Sequence, residues 1–169
     1  EQIKYKLSFV VRVGDDFKNK QKLTLYFEDT QVHGPISPPK DRPIIIGFGP
    51  AGMFAALELI GLGIKPVIFE RGKKIEDRTR DVGRFINDRI LNPESNIQFG
   101  EGGAGSFSDG KLFSRRNNNS SPTNKVLKTF AKFGAPAEIE YISKPHLGTD
   151  VLCKIVRNIR GFILERGGE

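Results

Sequence analysis

Residues 42–72 constrain this chain more than any other stretch. They read Arg42-Pro43-Ile44-Ile45-Ile46-Gly47-Phe48-Gly49-Pro50-Ala51-Gly52, then an apolar-periodic run, then Pro66-Val67-Ile68-Phe69-Glu70-Arg71-Gly72. The three isoleucines form a short unbroken β-branched run, which suits a parallel strand buried on both faces. The glycines that follow at 47, 49 and 52 have the spacing G-x-G-x-x-G, and each meets a separate demand. Gly47 lets the chain turn sharply off the strand, Gly49 removes the Cβ that would keep backbone away from a pyrophosphate, and Gly52 lets the next helix pack close to the sheet. Pro50 suits the first helical turn, where its missing N–H costs nothing.

The run from Met53 to Ile60 is rich in helix formers, with Met53, Leu57 and Ile60 on one face, and Gly61 or Gly63 can end it. Residues 66–69 then give a second short strand. Glu70 lies at its carboxyl end, 18 positions beyond Gly52. That distance lets a strand–helix–strand unit bring a carboxylate beside the ribose of a nucleotide whose phosphates rest on the helix N-terminus. A carboxylate accepts bonds from two ribose hydroxyls and repels a 2′-phosphate, so the unit suits FAD or NAD better than NADP. Glycine-rich turns alone are common. Strand, glycines, helix, strand and terminal acid in this order within about 30 residues are the fuller dinucleotide fingerprint.

Length and composition set the frame for that unit. The 169 residues suffice for one domain, and no apolar run approaches the roughly 20 residues of a membrane span. Lys4, Lys6 and Arg12 interrupt the first segment, which does not read as a secretory leader. The single cysteine, Cys153, excludes an internal disulfide framework and fits a reducing, cytoplasmic setting. The net charge of +7 is spread along the chain among acids. This argues against nucleic acid as a partner and fits a solvated surface that attracts an anionic cofactor.

Outside the central unit, residues 4–13 and 22–27 alternate as two half-buried strands of a hairpin, followed by a Gly/Pro-rich tether that includes His33. Residues 1–41 therefore form an N-terminal β-hairpin region and linker. Arg71, adjoining the ribose position, is the better candidate to face a cofactor phosphate than Lys73 or Lys74. Residues 77–91 read as an amphipathic helix with Val82, Phe85, Ile86 and Ile90 inward and its arginines solvated. Residues 100–110 hold glycines at 100, 102, 103, 105 and 110 with Ser106 and Ser108. Bare amides and small hydroxyls of this kind form anion-binding concavities, and Ile97, Phe99, Phe107 and Leu112 would anchor them to a core.

Residues 115–121 read as a mobile surface loop. Ser121 and Pro122 open a helix with Val126, Leu127, Phe130 and Ala131 inward and Gly134 at its close. Thr149 caps a further helix, with Leu152, Ile155, Val156, Ile159 and Ile163 on one face and Cys153, an inert thiol, off it. His146 lies in a loop beside that helix start, where a ring nitrogen could meet a substrate or flavin oxygen, although a structural role is the commoner one. A terminal glycine turn after a helix usually leads to another strand, so the expectation is a truncated polypeptide.

Three of these motifs together, residues 47–52 with Glu70-Arg71-Gly72, residues 95–112, and residues 144–150, resemble a bacterial family of FAD-dependent, NAD-utilizing dehydrogenases in the two-dinucleotide-fold flavoprotein group. The likeness runs from Arg42 to Glu169, which it marks as the N-terminal part of an FAD/NAD(P)-binding domain. The resemblance implies an α/β fold, a Rossmann-like βαβ unit with a parallel sheet, incomplete here. It implies that Gly47, Gly49, Pro50, Ala51 and Gly52 hold the FAD pyrophosphate, and that Glu70, with Arg71 adjoining, holds the ribose. Gly102, Gly103, Gly105 and Ser106 would line pyrophosphate and flavin, with Asp109 and Lys111 as neighbours of the flavin ring. The activity implied is hydride transfer between an unknown small-molecule substrate and FAD, with NAD(P)H as co-substrate. Family members are much longer, so the remainder of the same polypeptide is needed to complete the site. Two other readings stay open: an NAD-dependent dehydrogenase using the same fingerprint, and a non-catalytic module binding nucleotide or nucleic acid.

Overall fold

A computed structural model of the protein describes residues 11–14, 16–18, 20, 36–112, 121–142 and 144–169. The chain divides into two compact units, Glu1–Gln31 and Val32–Glu169. The strands expected over 4–13 and 22–27 lie outside the described residues except for 11–13, which carry no regular structure. His33 and residues 115–120 also lie outside them.

The second unit is mixed α/β. Two short strands, β1 (Ile44–Ile46) and β2 (Val67–Phe69), pair in parallel, with Ile44 opposite Val67, Ile45 opposite Ile68 and Ile46 opposite Phe69. Helix α1 (Pro50–Gly61) joins them, so the three elements form a βαβ unit. Three more helices follow: α2 (Ile75–Asp88), α3 (Ser121–Lys132) and α4 (Thr149–Glu165). A 3-10 turn over Ala104–Phe107 lies within the second glycine segment.

The inner face of the sheet carries Ile45 and Ile68 onto a core that holds Met53 and Ala56 of α1, Leu127 of α3, and Ile155, Val156, Ile159 and Ile163 of α4. Full burial of such a side chain contributes about 1.5–3 kcal/mol. The outer face corrects the expectation of two-sided burial. Ile44, Ile46 and Phe69 are 65%, 80% and 57% exposed. An unbroken β-branched run is suited to a sheet covered by two layers, and the described residues supply only one. At the free edge of β2, the Glu169 amide donates to the Pro66 carbonyl at 3.0 Å, and the Ile68 amide donates to the Glu169 carbonyl at 2.6 Å. That is the bonding pattern of a parallel neighbour strand.

The helices depart from expectation in three places. α2 begins at Ile75 and ends at Asp88, with Arg89 in the left-handed conformation (φ 60°), so Ile90 falls outside it and Ile86 is exposed. The buried face runs instead through Ile75, Arg78 and Val82. In α4 the cap position is Gly148, and Thr149 is already helical, its hydroxyl donating to the Ser108 carbonyl at 3.5 Å. Cys153 is buried rather than off the packed face. α4 contacts α1, α2 and the 3-10 turn, so its buried arc is wider than a single apolar stripe. Burial pushes the Cys153 thiol up, which keeps it protonated and unreactive.

Candidate functional site

The site grows from the carboxyl end of β1. The Gly47 amide donates to the Phe69 carbonyl at 2.7 Å, continuing the strand pairing, and the chain then turns with Gly47 at φ +95°. A β-carbon on Gly47 would meet nothing within 4 Å, so the glycine serves conformation there and the space beside it is open. At Gly52 the demand is steric. A β-carbon would overlap the Gly47 carbonyl oxygen and lie 3.3 Å from Ile45 Cγ2, which is the close helix-to-strand approach that the spacing predicts. The first intrahelical bond runs from the Met53 amide to the Gly49 carbonyl, and among the described residues no side chain caps the amides ahead of it. Those amides and the positive end of the α1 dipole can therefore serve an anion.

Glu70, at the end of β2, turns back onto this loop. Its Oε2 accepts the Phe48 amide at 2.7 Å and its Oε1 accepts the Gly72 amide at 2.8 Å. Each oxygen keeps a lone pair for a further donor. The carboxylate is thus held in place at the mouth of the glycine turn. Arg71 lies elsewhere: its guanidinium rests 4.4 Å from the centre of the Phe99 ring and pairs with Glu94 at 3.1 Å.

The second glycine segment packs directly on the first. The Gly102 amide donates to the Phe48 carbonyl at 2.8 Å. A β-carbon on Gly103 (φ +68°) would lie 3.2 Å from Pro50 Cδ, and one on Gly49 would lie 3.8 Å from Gly103 Cα. Gly105 is exposed at the rim. Ser106 is buried, with its hydroxyl oxygen lacking a hydrogen-bond partner among the described residues and set beneath Gly102. The chain thereby brings Gly47, Gly49, Pro50, Ala51, Gly52, Glu70, Gly102 and Gly103 to one place.

Asp109 and Lys111 form a separate cluster, an exposed ion pair at 2.8 Å. The Lys111 amine holds the Asp109 carboxyl below its usual range. Lys111 faces His146 across an isolated antiparallel bridge, flanked by the Leu112 amide on the Pro145 carbonyl and the Leu147 amide on the Gly110 carbonyl. This pairing brings His146 to the same edge of the loop as the two charged residues.

Sequence reasoning missed the ionic groups beneath the loop. Arg78, assigned to a solvated surface, is fully buried. Glu101 is buried as well, accepting the Ile75 amide at 2.6 Å and pairing with Arg160 at 2.7 Å. Burial pushes the Glu101 carboxyl up despite that pair. Arg160 also grips Glu76, whose pKa its hydrogen bond lowers to about 2. A signal for Arg78 was present: Ile75, Arg78 and Val82 are spaced as one helical face, so the arginine stands in apolar register.

Among the described residues no helix is long and apolar enough to cross a membrane. No family model matches the chain. A Clostridium beijerinckii protein, named only "Uncharacterized protein", is 54% identical to it over 130 residues, which make up 77% of this chain and 24% of that relative. The match thus spans about a quarter of the relative's length.

Proposed function

We propose that this chain carries the first part of the FAD site of a flavoprotein oxidoreductase, a dehydrogenase passing hydride between a small-molecule substrate and FAD, with NAD(P)H as co-substrate. The observation that carries the reading is the convergence of Glu70 and two glycine segments on one turn, with open space beside Gly47. A diphosphate fits the uncapped amides of α1, and a ribose fits the fixed carboxylate of Glu70. The fold then reads as Rossmann-like. Bound FAD would supply the ring that accepts and gives up hydride. The protein's part is to hold the diphosphate with backbone N–H groups, to orient the sugar with Glu70, and to line the dinucleotide with Gly102, Gly103, Gly105 and Ser106. The Asp109–Lys111 ion pair and His146 stand together at the loop edge, as polar neighbours for the flavin ring.

The remainder of a longer polypeptide is the partner this reading needs. The uncovered outer face of the sheet and the greater length of the relative support it. The chain's basic character would favour the anionic cofactor, with no role for nucleic acid.

Calorimetric titration of the purified chain with FAD, ADP, NAD and inorganic pyrophosphate tests the reading. Saturable binding of ADP and pyrophosphate, the parts of FAD that this chain would hold, is the expected outcome. Preference for NAD with no affinity for FAD would favour an NAD-dependent dehydrogenase, and salt-sensitive DNA binding without nucleotide affinity would favour a basic binding module. Glu70→Gln should weaken ADP roughly tenfold and leave pyrophosphate unchanged, since an amide is a poorer acceptor for ribose hydroxyls. Equal affinity of the variant for ADP would remove Glu70 from the site.

A further inference from the structure

Arg78 is the largest fully buried side chain of the described residues, and it forms no ion pair among them. Its guanidinium is satisfied by backbone alone. Nη1 donates to the carbonyls of Glu101 at 2.6 Å and Gly103 at 3.0 Å. Nη2 donates to the carbonyls of Asn96 at 3.1 Å and Ile97 at 3.2 Å, with Nε also directed at Asn96. The Phe107 ring lies 4.8 Å from the guanidinium carbon. Gly100 has no side chain because Arg78 fills that place: a β-carbon there would come within 2.8 Å of Nε.

A buried cation is costly unless something repays its desolvation, and burial does push this guanidinium down from its usual value. The four carbonyls it collects all belong to the second glycine segment and its approach. One side chain thus sets the orientation of several peptide planes at once: the N–H groups opposite these carbonyls belong to Ile97, Gln98, Gly102 and Ala104, of which Gln98 donates to Asn96 Oδ1 and Gly102 to the Phe48 carbonyl, while those of Ile97 and Ala104 have no partner among the described residues. No carboxylate lies within ion-pair distance of it among the described residues, although Glu70 and Glu101 act on the charge from further off, and it sits beneath the segment that meets the first glycine turn.

We propose that Arg78 is a positioning residue for an anion: by pinning the carbonyls of Asn96, Ile97, Glu101 and Gly103 it fixes the peptide planes that carry the Ile97 and Ala104 amides and places a positive charge behind them, for the diphosphate of a bound dinucleotide. The inference rests on the dinucleotide reading above but makes a claim of its own. Arg78 touches no ligand. It acts through the peptide groups it holds, and its effect is therefore specific to the phosphate-bearing part of the ligand.

The test compares wild type, Arg78→Lys and Arg78→Met for affinity to inorganic pyrophosphate, ADP and adenosine, with amide hydrogen exchange across residues 96–107 read in the same samples. Lysine keeps the charge but lacks the planar fork that spans four carbonyls. Pyrophosphate and ADP binding should fall roughly tenfold in Arg78→Lys and further in Arg78→Met, adenosine binding should hold, and exchange should rise in the loop but not in α1. Unchanged pyrophosphate affinity in Arg78→Lys overturns the proposal, as does an equal loss of adenosine and pyrophosphate, which would mark a purely structural arginine. Where Arg78→Met fails to fold, Arg78→Lys decides alone. If wild type binds none of the three ligands, both the dinucleotide reading and the anion role fall; a loop exchange rate that still rises in Arg78→Lys would then leave Arg78 as a structural pin only.

Discussion

The two glycine segments do the same kind of work by different construction. The first hangs between a strand and a helix: β1 sets its entry, α1 its exit, and Gly52 lets the two approach until a single methyl group would collide with the Gly47 carbonyl. The second has only a 3-10 turn of its own, and side chains from elsewhere hold it, with Arg78 of α2 inside and Arg160 of α4 reaching Glu101. Regular structure supports one loop and buried charge the other. The difference teaches where each is vulnerable, because backbone pairing tolerates side-chain changes around it, whereas a loop held largely by two arginines depends on those groups.

The largest effect should come from breaking the ionic support. Arg78→Met leaves four carbonyls without their donor and should cost about 3 kcal/mol or more in urea unfolding. A loss well under this would show that the loop holds itself and would undo the contrast. Next comes the steric limit of the first loop. Gly52→Ala forces backbone atoms apart and should cost about 2–3 kcal/mol by the same measurement. Gly47→Ala should be milder, about 1–2 kcal/mol, since φ +95° strains an L-residue but the space beside it is free. Finding Gly47→Ala worse than Gly52→Ala would reverse the assignment of their roles.

The smallest effect concerns pH. Glu76 titrates at about 2 in the folded chain, below its ordinary 4.5, because Arg160 binds its ionised form. Its contribution is therefore complete above the unfolded value and is lost as pH falls from about 4.5 through about 2. Its side chain is 36% exposed, so screening keeps the effect small. Glu101 runs the other way: burial raises its pKa, so its ionisation opposes stability as pH rises through that titration. Glu76→Gln should flatten the acid limb of the stability curve, read as the thermal midpoint against pH. An acid limb unchanged by the substitution would show that the Glu76–Arg160 pair adds nothing measurable to stability.

Much of the first loop was legible because its causes are local. The span of β1, the start of α1 at Pro50, its end at Gly61 and the second strand before Glu70 all follow from neighbouring residues. The second loop was legible only as composition. Glycines and serines announce a bare backbone, but nothing nearby says which way its peptides turn. Arg78 is 23 positions from Glu101, and its role depends on a fold that closes the distance. Arg71 shows the same limit: adjacency to Glu70 in sequence suggested a phosphate contact, whereas the contacts its side chain makes, with Phe99 and Glu94, lie more than twenty positions away.

The sequence alone therefore determined the βαβ unit, the conformational freedom at Gly47 and the presence of an acid at the tip of β2, since turn chemistry and helix starts act over a few residues. Only the tertiary structure decided that Glu70 folds back onto the Phe48 amide, that an arginine rather than an apolar side chain fills the space under the second loop, and that one face of the sheet stays open. These outcomes depend on which distant groups meet in the packed chain. Burial and hydrogen-bond satisfaction settle them, and neither is a property of any short stretch of residues.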